Sequence, residues 1–352
     1  MGEDVLKRFE SLLSRNVSMF IATSVPSKAK QSTDLKVLES KGAHIKRINF
    51  GQLTHGVLHT KFWIVDRKHI FLGSANIDWR SLTQMKEVGV MISNCSCLAN
   101  DLLKTFKTYW DLGEPNATIP SPWPNNYSTN INRNSPLEMQ VNGTLTKAYF
   151  SASPSSFCPD GRTFDLVAIL DVIYDAEKFI YVSIMEYFPI SRFSHPSRYW
   201  PPIDNALRSV ALSRNIQIRL LINCWIDTDS SMFHYLKSLS VLSDPHINIT
   251  IDVKIFIVPI GNYSNIPFAR LNHKYMVTDK TAYIGTSNWS EEYFTITAGV
   301  GLIAKQSTDS PKRNLIIQEQ LKSLFERDWN SKYSINMEDL PGQKGCAWKD
   351  GI

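Results

Sequence analysis

No stretch of this chain approaches the ~18 consecutive apolar residues that a membrane-spanning helix requires. Its 352 residues also hold no long low-complexity span. The opening residues, Met1-Gly2-Glu3-Asp4, lack the charged-then-apolar order of a secretory signal peptide. Gly2 does not make a myristoylation site, because Leu6 stands where Ser or Thr is wanted. Cysteine is sparse: Cys95, Cys97, Cys158, Cys224 and Cys346 are the whole supply. Cys95-x-Cys97 is neither a redox nor a zinc spacing, and no second Cys/His pair completes a structural zinc site. No metal or other cofactor is expected. Neither sign of charge dominates, with 38 Lys and Arg against 33 Asp and Glu. That small excess fits a solvated surface and an anion-binding role equally well.

What is present is an ordinary globular composition, 43% hydrophobic and 20% charged, long enough for two domains or one fused pair. Asn-x-Ser/Thr sequons are frequent. They start at Asn16, Asn94, Asn116, Asn126, Asn142, Asn248, Asn262 and Asn288. Such a density points to the secretory pathway. An odd cysteine count there leaves at least one thiol without a partner.

The chain repeats itself. Leu13-Ser14-Arg15-Asn16-Val17 returns as Leu212-Ser213-Arg214-Asn215-Ile216. Each copy follows a helical pattern and leads into a strand. A second strand follows at 43–50 and 253–259. Then comes a motif strand, HTKFWIVD at 59–66 and NHKYMVTD at 272–279. A hairpin strand next ends in Gly73-Ser74-Ala75-Asn76 or Gly285-Thr286-Ser287-Asn288, and a helix ending in Trp110 or Trp329 closes each half. Alternating strands and helices predict an α/β sandwich built from two related halves around a pseudo-two-fold axis, with the site at the seam. The predicted boundaries are 1–112 for the first half, 113–147 for a Pro-, Asn- and Ser-rich surface connection, and 148–352 for the second half. The second half opens with a helix at 165–177 and a strong strand at 179–189 that have no counterpart in the first. The first half is therefore expected to lack its first strand, with the N-terminus cut.

The motif His59-x-Lys61-x4-Asp66, followed by Gly73-Ser74-x-Asn76, carries chemistry. Strand alternation puts His59 and Lys61 on one face. An imidazole beside a fixed cation suits attack on phosphorus with neutralisation of its oxygens. Ser74 and Asn76 can donate further hydrogen bonds to those oxygens. Asp66, at the strand end, is expected to hold Lys61 or the turn.

These paired blocks, with GSANIDWRSLTQMKEVGV at 73–90, NCSCLANDL at 94–102, SHPSRYWP at 194–201 and GTSNWSEEYF at 285–294, resemble the phospholipase D superfamily, and within it the endolysosomal, type II membrane branch. The resemblance implies a metal-independent 5′-to-3′ exonuclease on single-stranded DNA or RNA that works through a phosphohistidine and limits nucleic-acid sensing by Toll-like receptors. A lysosomal phospholipid transphosphatidylase is the implied variant, with phospholipid as partner. Carried onto this chain, the catalytic set is His59, Lys61, Asp66, His273, Lys274 and Asp279, with His273 as the attacking imidazole by family habit. The phosphate-binding set is Ser74, Asn76, Ser287 and Asn288. The resemblance further implies a Cys224–Cys346 disulfide, and partners for Cys95 and Cys97 that this chain lacks. It implies glycans at Asn94, Asn116, Asn126, Asn142, Asn248 and Asn262, a membrane anchor missing from this chain, a homodimer, and an endolysosomal lumen reached through endoplasmic reticulum and Golgi.

One departure stands out. His273 and Lys274 are adjacent, where His59 and Lys61 are separated by one residue. Alternation then puts His273 and Lys274 on opposite faces and gives Asn272 the histidine's place. Either the strand accommodates the change, or the chain keeps the fold as a catalytically impaired binding protein, or the lost residue is missing only from this sequence.

Overall fold

The structure, a computed structural model, describes residues 2–25, 33–194, 196–259, 266–307 and 316–348. Its first half runs α1 (Gly2–Ser14), β1 (Phe20–Ser24), α2 (Thr33–Ser40), β2 (His44–Ile48), α3 (Phe50–Thr54), β3 (Phe62–Val65), β4 (His69–Gly73), α4 (Trp79–Thr83), β5 (Met85–Lys86), β6 (Gly89–Ile92) and α5 (Ser96–Asp111). The strands β7 (Leu137–Val141), β8 (Thr144–Ser153) and β9 (Thr163–Phe164) follow. The second half continues with α6 (Asp165–Asp175), β10 (Phe179–Ile184), α7 (Pro202–Arg214), β11 (Gln217–Asn223), α8 (Met232–Ser240), β12 (Thr250–Phe256), β13 (Arg270–Leu271), β14 (Lys274–Thr278) and β15 (Ala282–Gly285). It ends with α9 (Glu291–Thr295), β16 (Gly299–Gln306), α10 (Ile317–Trp329) and β17 (Ser334–Asn336).

Ten strands form the main sheet, in the order β17-β12-β11-β10-β14-β15-β16-β8-β7 with β9 on β8. Both faces are covered. Ile180, Val182, Ile184, Leu220 and Met276 pack against the apolar sides of α6, α7 and α8. Tyr181, Leu221, Tyr275, Val277 and Leu302 pack with Phe325 and Trp329 of α10 and with Ile70 and Leu72 of β4. A sheet buried on both faces needs near-continuous apolar strands, and FIYVSI in β10 and KYMVT in β14 supply them. α7 shows why its helix starts and stops where it does: Pro202 occupies its first turn, where no amide partner is needed, and Asn215 ends it in the left-handed conformation.

The first half repeats this order with fewer strands. β3-β4-β6 form one sheet and β1-β2 another. β1 and β2 match β11 and β12, while β3, β4 and β6 match β14, β15 and β16. In the second half β10 joins the two groups, parallel to β11 and antiparallel to β14. Among the described residues no strand stands between β1 and β3. Their side chains are accordingly half-buried, whereas those of β11 and β14 are almost all buried.

The segment 113–147 does more than connect. β7 and the start of β8 extend the main sheet, and Trp123 is buried with Phe50, Tyr109 and Phe157. Its indole nitrogen donates to the Ser156 carbonyl. An apolar ring with one satisfied polar end suits a chain crossing the seam between halves. Cys224 and Cys346 form a disulfide across 122 residues and tie the C-terminal segment down, with Trp348 against Phe233 of α8. Cys95, Cys97 and Cys158 are free. No helix among the described residues is long and apolar enough to cross a membrane.

Candidate active site

The site is built where the two motif strands meet. A short parallel pairing of β5 with β13 crosses the seam, and the Asn272 amide extends it by donating to the Lys86 carbonyl at 2.8 Å. On the other flank, the His59 amide donates to the Ala298 carbonyl at 3.1 Å. Each half is thus pinned to the other beside its motif.

The lysines give the register. Lys61 Nζ donates to the backbone carbonyl of His59. Lys274 Nζ donates to the backbone carbonyl of Asn272 at 3.1 Å. The same contact, two residues back in each half, makes Asn272 the counterpart of His59. Its Oδ1 accepts from Lys274 Nζ at 2.6 Å, and its Nδ2 donates to both carboxylate oxygens of Glu87 at 2.9 and 3.0 Å. Ser74 donates to the same carboxylate and receives the Val88 amide at 3.0 Å.

His273 lies on the other side of β14. It is fully buried beside Tyr275, with ring centroids 5.5 Å apart. Its Nδ1 is 3.0 Å from Ser183 Oγ, and its Nε2 has no partner. Side chains alternate along a strand: Met276 follows the Lys274 side into the core under α6–α8, while Tyr275 and Val277 follow the His273 side. The strand does not bulge to turn His273 back.

The remaining expected residues divide similarly. Ser287 and Asn288 are buried near the seam. Asn288 Nδ2 donates to Glu186 at 3.2 Å and to the Tyr293 hydroxyl at 3.0 Å, and the Tyr293 ring meets His59 edge-on at 5.2 Å. Asn76 is exposed. Asp66 and Arg67 both have positive φ, 53° and 52°, in the three-residue connection 66–68 that joins β3 to β4. The Lys68 amide closes the turn onto the Val65 carbonyl at 3.0 Å, and Asp is among the residues that tolerate a positive φ. Asp279 sits in the corresponding turn and accepts the Glu177 and Lys178 amides at 3.1 and 3.0 Å. Both aspartates shape turns, away from the reacting groups. Gly73 is needed because a Cβ there would lie 2.6 Å from the Gly89 Cα on the paired strand.

Lys61 and Lys274 are both buried. Burial first, then the neighbouring Lys274, holds the Lys61 ammonium well below the ordinary lysine range. Burial lowers Lys274 to about 8, with Glu87 and Glu186 pulling the other way. Burial, then Lys61 and Lys274, pushes His59 well below the usual histidine value, against a hydrogen bond to the Thr286 backbone. Burial and the two lysines thus favour the unprotonated form of the His59 imidazole. Taking two ammonium groups out of water is unfavourable, and an anion held between them would offset that cost. The arrangement suits nucleophilic attack on an anionic phosphodiester.

Glu87 and Tyr293 do not stand out in the sequence. A glutamate ahead of an apolar strand and an aromatic in a short helix read as surface and core. The one signal for Glu87 is its place 13 residues after Ser74, which carries no periodicity of its own.

Residues 1–261 match the family described as PLD3/4, PLD-like domain. The chain belongs to this phospholipase D-like family. It is 56% identical over 351 residues to the human 5'-3' exonuclease PLD4, covering 99% of this chain and 69% of that protein. It is 50% identical to the Xenopus laevis 5'-3' exonuclease PLD3, covering 99% and 70%. A phosphatidylserine synthase from Haemophilus influenzae has a similar fold, with TM-score 0.57 and 12% identity, covering 96% of this chain and 86% of that one. At that identity the likeness concerns architecture alone, a mixed α/β fold without a closed barrel. Within this phospholipase D-like frame, Asn272 is the feature that sets the two motif strands apart.

Proposed function

We propose that this chain is a phosphodiesterase of the phospholipase D type, acting as a metal-independent 5′-to-3′ exonuclease on single-stranded DNA or RNA. The observation that carries this reading is the His59 imidazole at the seam, with the Tyr293 ring edge-on at 5.2 Å and the buried Lys61 and Lys274 beside it. The exonuclease names of relatives at 48–57% identity supply the substrate class. Exposed aromatic side chains at the edges of the site suit unpaired bases, whose faces stack on rings irrespective of sequence. Phe193, 61% exposed, follows Arg192, which pairs with Glu186 beside Asn288. Trp79, 54% exposed, opens α4 just past the Gly73–Asn76 turn.

An endolysosomal lumen reached through the secretory pathway is the compartment we propose. Asn94, Asn116, Asn126, Asn142 and Asn248 are all exposed, as glycan acceptors must be. Asn288 is buried in the site and is excluded as an acceptor, while Asn262 lies outside the described residues. The Cys224–Cys346 disulfide fits an oxidising route.

The test is degradation of a 5′-hydroxyl single-stranded oligonucleotide at pH about 5 with chelator present. The expected outcome is shortening from the 5′ end, slow in this chain, faster in Asn272→His and abolished in both by His59→Ala. Cleavage of duplex or internal bonds in preference to the 5′ end, or full activity in His59→Ala, would sink the reading.

A further inference from the structure

Among the described residues the seam holds one imidazole, and that asymmetry separates two chemical steps. Displacement at phosphorus needs a nucleophile and, for an alkoxide leaving group, a proton donor. Release of a phosphoryl group from the nucleophile then needs an activated water. His59 serves the first need. The groups facing it do not serve the others. Asn272 is an amide that neither gives nor takes a proton at ordinary pH. Glu87 is held by Asn272 and Ser74. Glu186 is held by Arg192 and Asn288. The Tyr293 hydroxyl receives the Asn288 amide, and Lys61 and Lys274, each with an N–H on a backbone carbonyl, keep their remaining N–H groups for the phosphoryl oxygens.

We infer that His59 takes up a phosphoryl group readily from a diester whose leaving group needs no proton and then retains it, so that the chain behaves as a single-turnover phosphoryl trap with Asn272 setting the block. The inference rests on the phosphodiesterase reading and deepens it. With bis(4-nitrophenyl) phosphate, a ring nitrogen of His59 uses its lone pair to form a bond to phosphorus. The phosphorus–oxygen bond to one 4-nitrophenyl group breaks, and its electron pair leaves with 4-nitrophenolate, which needs no proton at neutral pH. The imidazolium keeps its ring proton, and its charge faces the phosphoryl oxygens. Discharge requires water to attack phosphorus, the nitrogen–phosphorus bond to return its electrons to His59, and one water proton to reach a base. Across the seam the position for that base is Asn272.

The same geometry states the repair. An imidazole at position 272 would sit where Asn272 already meets Glu87, and Glu87 would accept its ring N–H as it now accepts the amide. Asn272→His changes no backbone register, since Lys274 already contacts the residue-272 carbonyl as Lys61 contacts that of His59.

The experiment mixes the protein with bis(4-nitrophenyl) phosphate at pH 7 and follows 4-nitrophenolate release and the intact mass of the chain. The expected result is a burst of about one equivalent, a matching mass increase localised to His59 and sensitive to acid, and a steady rate at least about 10²-fold slower than the burst. His59→Ala should show neither burst nor adduct. Asn272→His should turn over steadily, about 10²–10⁴-fold faster than the unaltered chain, and the same ratio should appear on the oligonucleotide. Steady turnover by the unaltered chain with no burst and no adduct, while Asn272→His is no faster, overturns the inference and leaves the phosphodiesterase reading intact. If neither protein releases 4-nitrophenolate or shortens the oligonucleotide although Asn272→His melts like the unaltered chain, the phosphodiesterase reading itself fails.

Discussion

At the residue scale, His59 and His273 are distinguished by one strand step. His59 faces two lysines, whereas His273 faces Ser183 and Tyr275. Burial, then Lys86 and Lys274, depresses His273 well below the ordinary histidine value. The linkage sign follows. Above pH about 6.5 His273 is neutral in both the folded and unfolded states and has no effect on the balance. Below it, the unfolded chain takes a proton that the buried native imidazole resists, and stability falls as the pH falls. His273→Gln removes that loss. Its denaturation midpoint should therefore fall less steeply than that of the unaltered chain between pH 6.5 and 4.5, while phosphodiesterase activity stays within about twofold. Parallel midpoint-versus-pH curves would refute the burial argument. A large loss of activity in a stably folded His273→Gln protein would return His273 to the site.

At the element scale, β1 and β3 show what a sheet strand loses when its neighbour is absent. Their counterparts β11 and β14 both pair with β10, but among the described residues β1 pairs only with β2 and β3 only with β4. Phe20 and Val65 are 53% and 49% exposed. Edge strands open at lower free energy than central ones. Amide hydrogen exchange read by mass spectrometry should deuterate 20–24 and 62–65 at least about tenfold faster than 217–223 and 274–278. Equal protection would mean that some segment covers the β1–β3 edge. This contrast was legible in the sequence, because Leu13–Val17 and Leu212–Ile216 align the halves and the 165–189 block then has no partner. The alternation rule likewise located Asn272. The Glu87 carboxylate was not legible, since it depends on β5 meeting β13 across the seam, and two-residue strands leave no periodic signal. Nor was the burial of Trp123, because Pro and Asn around it signal a surface segment while packing decides otherwise.

At the scale of the whole molecule, the halves are unequal. The second carries the ten-stranded sheet and two core clusters, while the first leans on it through β4, α5 and the seam. Stability should therefore reside in the second half, and its longest covalent closure is the Cys224–Cys346 disulfide. That bond encloses 122 residues, and on chain-entropy grounds a loop of this size is worth up to about 5 kcal/mol. It also keeps Trp348 against Phe233, so the C-terminal segment covers α8. Cys346→Ser should destabilise the protein by about 2–5 kcal/mol in urea at pH 7. Because Cys224 and Cys346 both lie outside the seam contacts, the active fraction that remains folded should keep the burst amplitude of the unaltered chain. A destabilisation below about 1 kcal/mol would show that the segment is held by packing alone. Loss of the burst in folded protein would instead place the C-terminal segment among the determinants of the seam, with coupling that runs from α8 in the second half across the seam to His59 in the first.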